Sequence, residues 1–345
     1  MIQTALKVAL TAAFFVVVLG PEFSSQAFSE TCTSQSQMAP ADRDALAFAA
    51  KTLATDMQAG NAADLRSLSV AEVAKDFAAI SDVVGNTAAK LKGGTLAVDQ
   101  VYLLDASTLK RNADGSAADA QFFCTLNKSI AEADFLIPAL PPGKYVFAIV
   151  EVRGIPAPWR LSFLLRQDQG RWLMAGLYPR PLTAAGHDGL WYWTQARQMT
   201  ASKEPWNAWL YDQEAQNLLQ PAGFVQSTHL EKLQTEQTAA APPALSQGIG
   251  VDTPLVVKAK DGTEYRFTSL AADDSLGASS VDVAVHLKAD PLPDQAAARK
   301  RNIAAMSALL AAYPELRKPF HGVWVFADVP GQNPYATEQA MSDIP

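Results

Sequence analysis

Three groups of residues have types and spacing that could do chemistry. His187 stands just before Leu190-Trp191-Tyr192-Trp193, and an imidazole beside aromatic walls can move a proton near neutral pH. Its neighbour Asp188 does not face it merely by adjacency, and the position suits an N-cap for the helix that follows. Trp191, Trp193, Trp206 and Trp209 form the second group. Their rings could line a groove for a sugar, peptide or lipid group. The favoured reading is that they seal an interface, because buried aromatics more often hold structure. In the third group, Asp99, Tyr102 and Asp105 lie on or near a predicted strand, and Tyr178 and Arg180 close a later one. A buried carboxylate beside a tyrosine donor suits proton abstraction next to a carbonyl. Asp99 and Asp105 sit near strand ends, however, where carboxylates are usually solvated.

Other chemistries leave no trace. The chain has no Walker-type phosphate loop and no GxGxxG, GxSxG or HExxH pattern. Its four histidines, His187, His229, His286 and His321, are all more than five residues apart, so no helical metal pair exists. No metal and no cofactor are expected. His229, His286 and His321 read as ordinary surface or turn residues.

The elements that would position these groups follow from periodicity. Asp42 to Gln58 carries Leu46, Ala50, Leu53 and Met57 at helical spacing, and Gly60-Asn61 ends the run. Ser69-x-x-Glu72 predicts a capping box for a second helix, which Gly85-Asn86 closes. Strands are then predicted at Leu96–Asp105, Gln121–Asn127, Lys144–Gly154, Trp159–Gln167 and Arg171–Tyr178, the last two joined through Asp168-Gln169-Gly170. Helices are predicted at Leu190–Thr200, Pro205–Leu219 and Gly223–Glu236. Residues 239–250, rich in Ala, Pro and Gly, read as a linker. Beyond it Asp261-Gly262 marks a hairpin between Leu255–Lys260 and Thr263–Ser269. A strand at Val281–Leu287, a helix at Asp294–Tyr313 and a strand at Phe320–Val329 complete a β-β-β-α-β order. The tail from Pro330 is expected to lie on the surface as turns.

Helices followed by an antiparallel meander, closed by the Trp159–Tyr178 hairpin with Arg171-Trp172 opening its last strand, make residues 41–182 resemble the NTF2-like superfamily. Cystatin-like folds share much of this order. The resemblance implies a curved antiparallel sheet packed on N-terminal helices, with a cone-shaped pocket between them. That family holds isomerases, dehydratases and binding modules. The whole chain is therefore expected to be α+β: the NTF2-like domain, a helical aromatic segment at 187–236, and a C-terminal α+β domain at 251–345.

The N-terminus bounds where these parts work. Lys7, an uncharged run from Val8 to Leu19, and Gly20-Pro21 have the order of a secretory signal peptide. Ser25, Ala27 and Ser29 offer small residues for cleavage, so residues 1–27 read as the signal and 28–40 as a flexible leader. The run is shorter than the ~20 residues a membrane-spanning helix needs. No stable membrane insertion is expected after cleavage, and the destination is periplasm or medium. Cys32 and Cys124 are then expected to pair and staple the leading segment to a strand. The formal net charge of −7 excludes nucleic acid as a natural partner. The expected role is a non-catalytic module of a bacterial-type envelope that binds a small molecule, a glycan or an envelope protein. Tyr102, Tyr178, His187, Trp191, Trp193, Trp206 and Trp209 are the candidate contacts. An isomerase or hydrolase using the cone pocket is the alternative.

Overall fold

The computed structural model describes residues 30–125, 132–274 and 279–345, so the expected signal peptide lies outside the described residues. The fold is α+β, as the order of periodicities requires. Four helices, α1 (Pro40–Ala59), α2 (Ala62–Ser67), α3 (Ala71–Lys75) and α4 (Ala78–Leu91), separate the first strand of the first sheet from its other four. That sheet joins β1 (Thr31–Ser34), β2 (Thr95–Asp105), β5 (Lys144–Arg153), β6 (Trp159–Asp168) and β7 (Arg171–Pro181) in the order β1-β2-β5-β6-β7, every pair antiparallel. Of the expected 28–40 leader, the described residues from 30 onward are thus not free. Thr31 to Ser34 pair residue for residue with Asp105 to Tyr102, and Cys32 is bonded to Cys124 with a Cα–Cα distance of 5.4 Å.

The helices cover one face of this sheet. Leu46, Leu53 and Met57 of α1 pack on Val146, Val150 and Phe163, all buried. The expected capping box does not form. Ser69 Oγ donates instead to the Leu65 carbonyl, and Val70 N donates to Met174 O at the sheet edge. Glu72 turns outward to Arg166, 3.0 Å away. The helical stretch therefore breaks near Asp76, and α4 runs through Gly85-Asn86 to Leu91, because the Gly60 C-cap geometry is not repeated at Gly85.

The other face is covered by a small second sheet. β3 (Ala120–Thr125), β4 (Glu132–Ile137) and β10 (Val225–Ser227) join in the order β10-β4-β3. Phe122 and Phe135 fill the space above Tyr102, Leu104 and Phe147. β10 occupies the first turn of the helix predicted at Gly223–Glu236. That helix, α7 (Thr228–Ala240), starts only after Ser227, whose Oγ accepts from Leu230 N.

Two short strands, β8 (Thr183–Ala184) and β9 (His187–Asp188), lead into α5 (Gly189–Ala201) and α6 (Pro205–Leu219). The second five-stranded sheet joins β11 (Leu255–Lys258), β12 (Glu264–Asp273), β13 (Asp282–Lys288), β14 (Gly322–Asp328) and β15 (Tyr335–Ala340) in sequence order. β13 and β14 are parallel and connected through α8 (Gln295–Ala312), which packs on the buried face. β15 overturns the expectation of a turn-rich tail: Thr337 is buried and accepts from Asn302 Nδ2, which gives this polar segment a partner on α8. One hydrophobic core runs from Ala184 to Ile344 and takes in Trp193, Trp206, Leu210, Phe267, Val285 and Met306. The helical segment and the C-terminal sheet are thus one packed body, and the 239–250 stretch, with Leu245 buried, passes over it rather than dividing it. Among the described residues no helix is long and apolar enough to cross a membrane.

Candidate functional site

A cavity of about 380 Å³ lies on the face of the first sheet turned away from α1 to α4. Its floor is Tyr102 of β2 with Phe147 and Ile149 of β5. The register Tyr102↔Phe147 and Gln100↔Ile149, with side chains alternating along each strand, puts all three on one face. β4 contributes Ala133 and Phe135, and β10 contributes Val225, which pairs with Phe135. Trp193 and Leu190 of α5 and Leu230 of α7 close the side. The size falls within the range of roughly 300–1,000 Å³ common for small-molecule sites.

The aromatic wall is held in place. Trp193 Nε1 donates to Glu236 Oε2 at 2.8 Å, and the Arg197 guanidinium lies over its ring at 4.2 Å. Arg197 and Glu236 themselves pair at 2.7 Å, which draws the Glu236 carboxyl below its usual range. Phe135 meets Tyr102 and Phe147 at ring separations of 5.1 and 5.3 Å. Polar groups are few: the Tyr102 hydroxyl, Gln226, Ser227 and, at the exposed rim, His229. Burial, and then the negative charge of Asp99, push the Tyr102 phenol up to about 12, so it remains a neutral O–H donor at physiological pH.

This cavity gathers two of the seven candidate contacts, Tyr102 and Trp193. Tyr178 is cut off by Phe224, whose ring stands edge-on to both Phe147 and Tyr178. His187 stacks on Trp191 at 3.7 Å, outside the cavity, and Asp188 caps α5 by accepting from Trp191 N at 2.8 Å. Trp206 packs on Tyr313 at 4.2 Å, and Trp209 joins the same core, so these two rings seal helices against the C-terminal sheet as the interface reading expects. Asp99 sits in a shallow hollow beside Arg43 and Gln35, with its carboxyl raised by burial and by Glu151. Asp105 accepts from Ser107 N at 2.9 Å and pairs weakly with Lys144.

Sequence reasoning missed Phe135, Val225 and Leu230. β4 is a six-residue strand followed at once by Pro138 and then Pro141, and β10 hides at the start of a helical pattern. The expected absence of metal ligands rested on histidine spacing along the chain. The fold nonetheless brings Asp282 of β13, His321 just before β14 and Glu338 of β15 together. The cone pocket that the NTF2-like resemblance implies would lie between helices and sheet. That space is filled by Leu53, Met57, Val146, Leu161, Phe163 and Met174.

Comparison of the chain with protein-family models, with curated proteins and with solved structures finds no match.

Proposed function

We propose that this chain is an exported, non-catalytic module of a bacterial-type envelope that holds an apolar small molecule against its first sheet. The observation that carries the reading is the cavity between Tyr102, Phe147 and Trp193, whose walls are predominantly hydrocarbon and aromatic. Such a lining suits an acyl or aromatic ligand with one or two polar atoms. A glycan would leave its many hydroxyls without partners there. Export is supported by the Val8–Leu19 run and by the Cys32–Cys124 bond, which an oxidising compartment maintains. Within residues 41–182, four helices ahead of the antiparallel run β2, β5, β6 and β7 support NTF2-like kinship. The isomerase or hydrolase alternative draws no support from the filled space beneath α1.

The test is a titration of purified protein with N-phenyl-1-naphthylamine, which brightens in apolar surroundings. Saturable uptake of one probe per chain is expected. Leu190→Arg, a change at an exposed wall position, should weaken it, and Ala133→Trp should fill the space and abolish it. Uptake that never saturates, or that ignores both changes, would overturn the reading.

A further inference from the structure

The outer face of the C-terminal sheet carries a second constellation, far in sequence from the cavity. Asp282 opens β13, His321 immediately precedes β14, and Glu338 lies in β15. Parallel pairing of Val283 with Val323 sets Asp282 beside Gly322, and antiparallel pairing sets Gly322 beside Ala340 and Trp324 beside Glu338. One ligand atom from each of Asp282, His321 and Glu338 lies within 4.8 Å of the other two.

Two independent features mark this as more than an acidic cluster. Asp282 is buried, 1% exposed, and its Oδ2 has no hydrogen-bond partner among the described residues. A buried carboxylate with one oxygen unpaired is costly, and a cation bound to the group offsets that cost. Gly322 is the second feature. Its backbone is not in the left-handed region, so conformation does not demand glycine there; space does. A Cβ at this position would stand 3.1 Å from Asp282 Oδ1, 3.2 Å from Glu338 Oε1 and 2.8 Å from the Gln339 carbonyl. The bare Cα is what lets two carboxylates approach one point over the sheet.

We infer that Asp282, His321 and Glu338 bind a single divalent first-row transition-metal ion above Gly322. Two carboxylates and one imidazole neutralise a dication and form a mixed O/N set, which suits such ions better than calcium. Two ligand atoms each about 2.1 Å from a tetrahedral metal lie about 3.4 Å apart. Asp282 Oδ1 and His321 Nδ1 are already 3.2 Å apart. The metal replaces the hydrogen bond between them, and half-exposed Glu338 swings in to complete the triad. The strand ends are fixed for this purpose: His321 N donates to Val281 O, and Met341 N donates to His321 O, both at 2.8 Å. Exposed His321 leaves the remaining position to water.

The experiment strips untagged protein with EDTA and titrates it calorimetrically with Zn²⁺, with Co²⁺ absorption as a second readout. One ion per chain is expected. His321→Ala and Glu338→Gln, both at accessible positions, should each weaken binding about tenfold or more while circular dichroism stays unchanged. Gly322→Ala should weaken it without removing a ligand. Naphthylamine uptake in His321→Ala should equal that of the parent chain, which separates this site from the cavity. No saturable Zn²⁺ or Co²⁺ uptake, uptake indifferent to both ligand changes, or a preference for Ca²⁺ would each overturn the assignment.

Discussion

The two large sheets solve the same problem differently. The first is covered on both faces, by α1 to α4 on one side and by the β10-β4-β3 sheet on the other. Its central strand β5 reads Tyr145-Val146-Phe147-Ala148-Ile149-Val150, and all six residues are buried. Among the described residues the C-terminal sheet packs its core on one face and leaves the other half-exposed. In β13 and β14 the buried residues Val283, Val285, Val323 and Val325 alternate with half-exposed Ala284, His286, Trp324 and Phe326. A doubly covered sheet can hold a ligand only where its layers fail to meet, so its site is an apolar gap. A sheet with one half-exposed face can carry polar side chains there, so its site is polar and is reached from the surface.

This contrast can be broken or sharpened by measurement. The largest effect should come from Cys32→Ser. Opening a bond that closes a separation of 92 residues should cost about 4–5 kcal/mol in the chain-entropy description, read by denaturant unfolding with and without reductant. Hydrogen exchange should then rise in β1 and β3 but not in β11 to β15; equal loosening of both halves would erase the distinction. Next, Phe163→Ala in the doubly covered sheet should cost about 3–5 kcal/mol. In the helical segment, Asp212 of α6 is buried, and burial followed by the charge of Glu236 raises its carboxyl to about 7. The folded state therefore holds this proton more tightly than the unfolded chain. Ionising Asp212 costs stability progressively from about pH 4, and the loss is complete above about pH 7. Asp212→Asn should stabilise the protein at pH 8 by on the order of 2 kcal/mol and change nothing at pH 4. The smallest effect belongs to Phe326→Ala on the open face, about 1 kcal/mol or less. A cost matching that of Phe163→Ala would mean this face is covered after all.

Much of the architecture was legible because it rests on local rules. Pro205 at the first turn places α6 from Pro205 to Leu219 as the spacing predicts, and Asp188 caps α5. At Asp168-Gln169-Gly170 both Gln169 and Gly170 adopt positive φ, the backbone that a tight hairpin requires. What escaped depends on distant partners. Ser69 has the local chemistry of a cap, but its hydroxyl serves the Leu65 carbonyl and its segment is drawn to Met174. β15 reads as turns because Asn302, which gives Thr337 a buried partner, is 35 residues away. The cavity was only half legible for the same reason. Tyr102 and Trp193 stand out by type, whereas Phe135 and Val225 matter only through the pairing of β4 with β10. The Asp282–His321–Glu338 cluster depends on strand order, which no spacing along the chain encodes.

The short strand Val225–Ser227 has a consequence in time. Synthesis delivers the helices, the first sheet and both cysteines more than forty residues before the ribosome releases this strand and Phe224. Until then Phe135 and Phe147 lack their final cover, and β4 presents an unpaired backbone edge. A nascent chain in that condition is a substrate for chaperones and a hazard for its neighbours. The half that looks most complete on paper is the one that must wait.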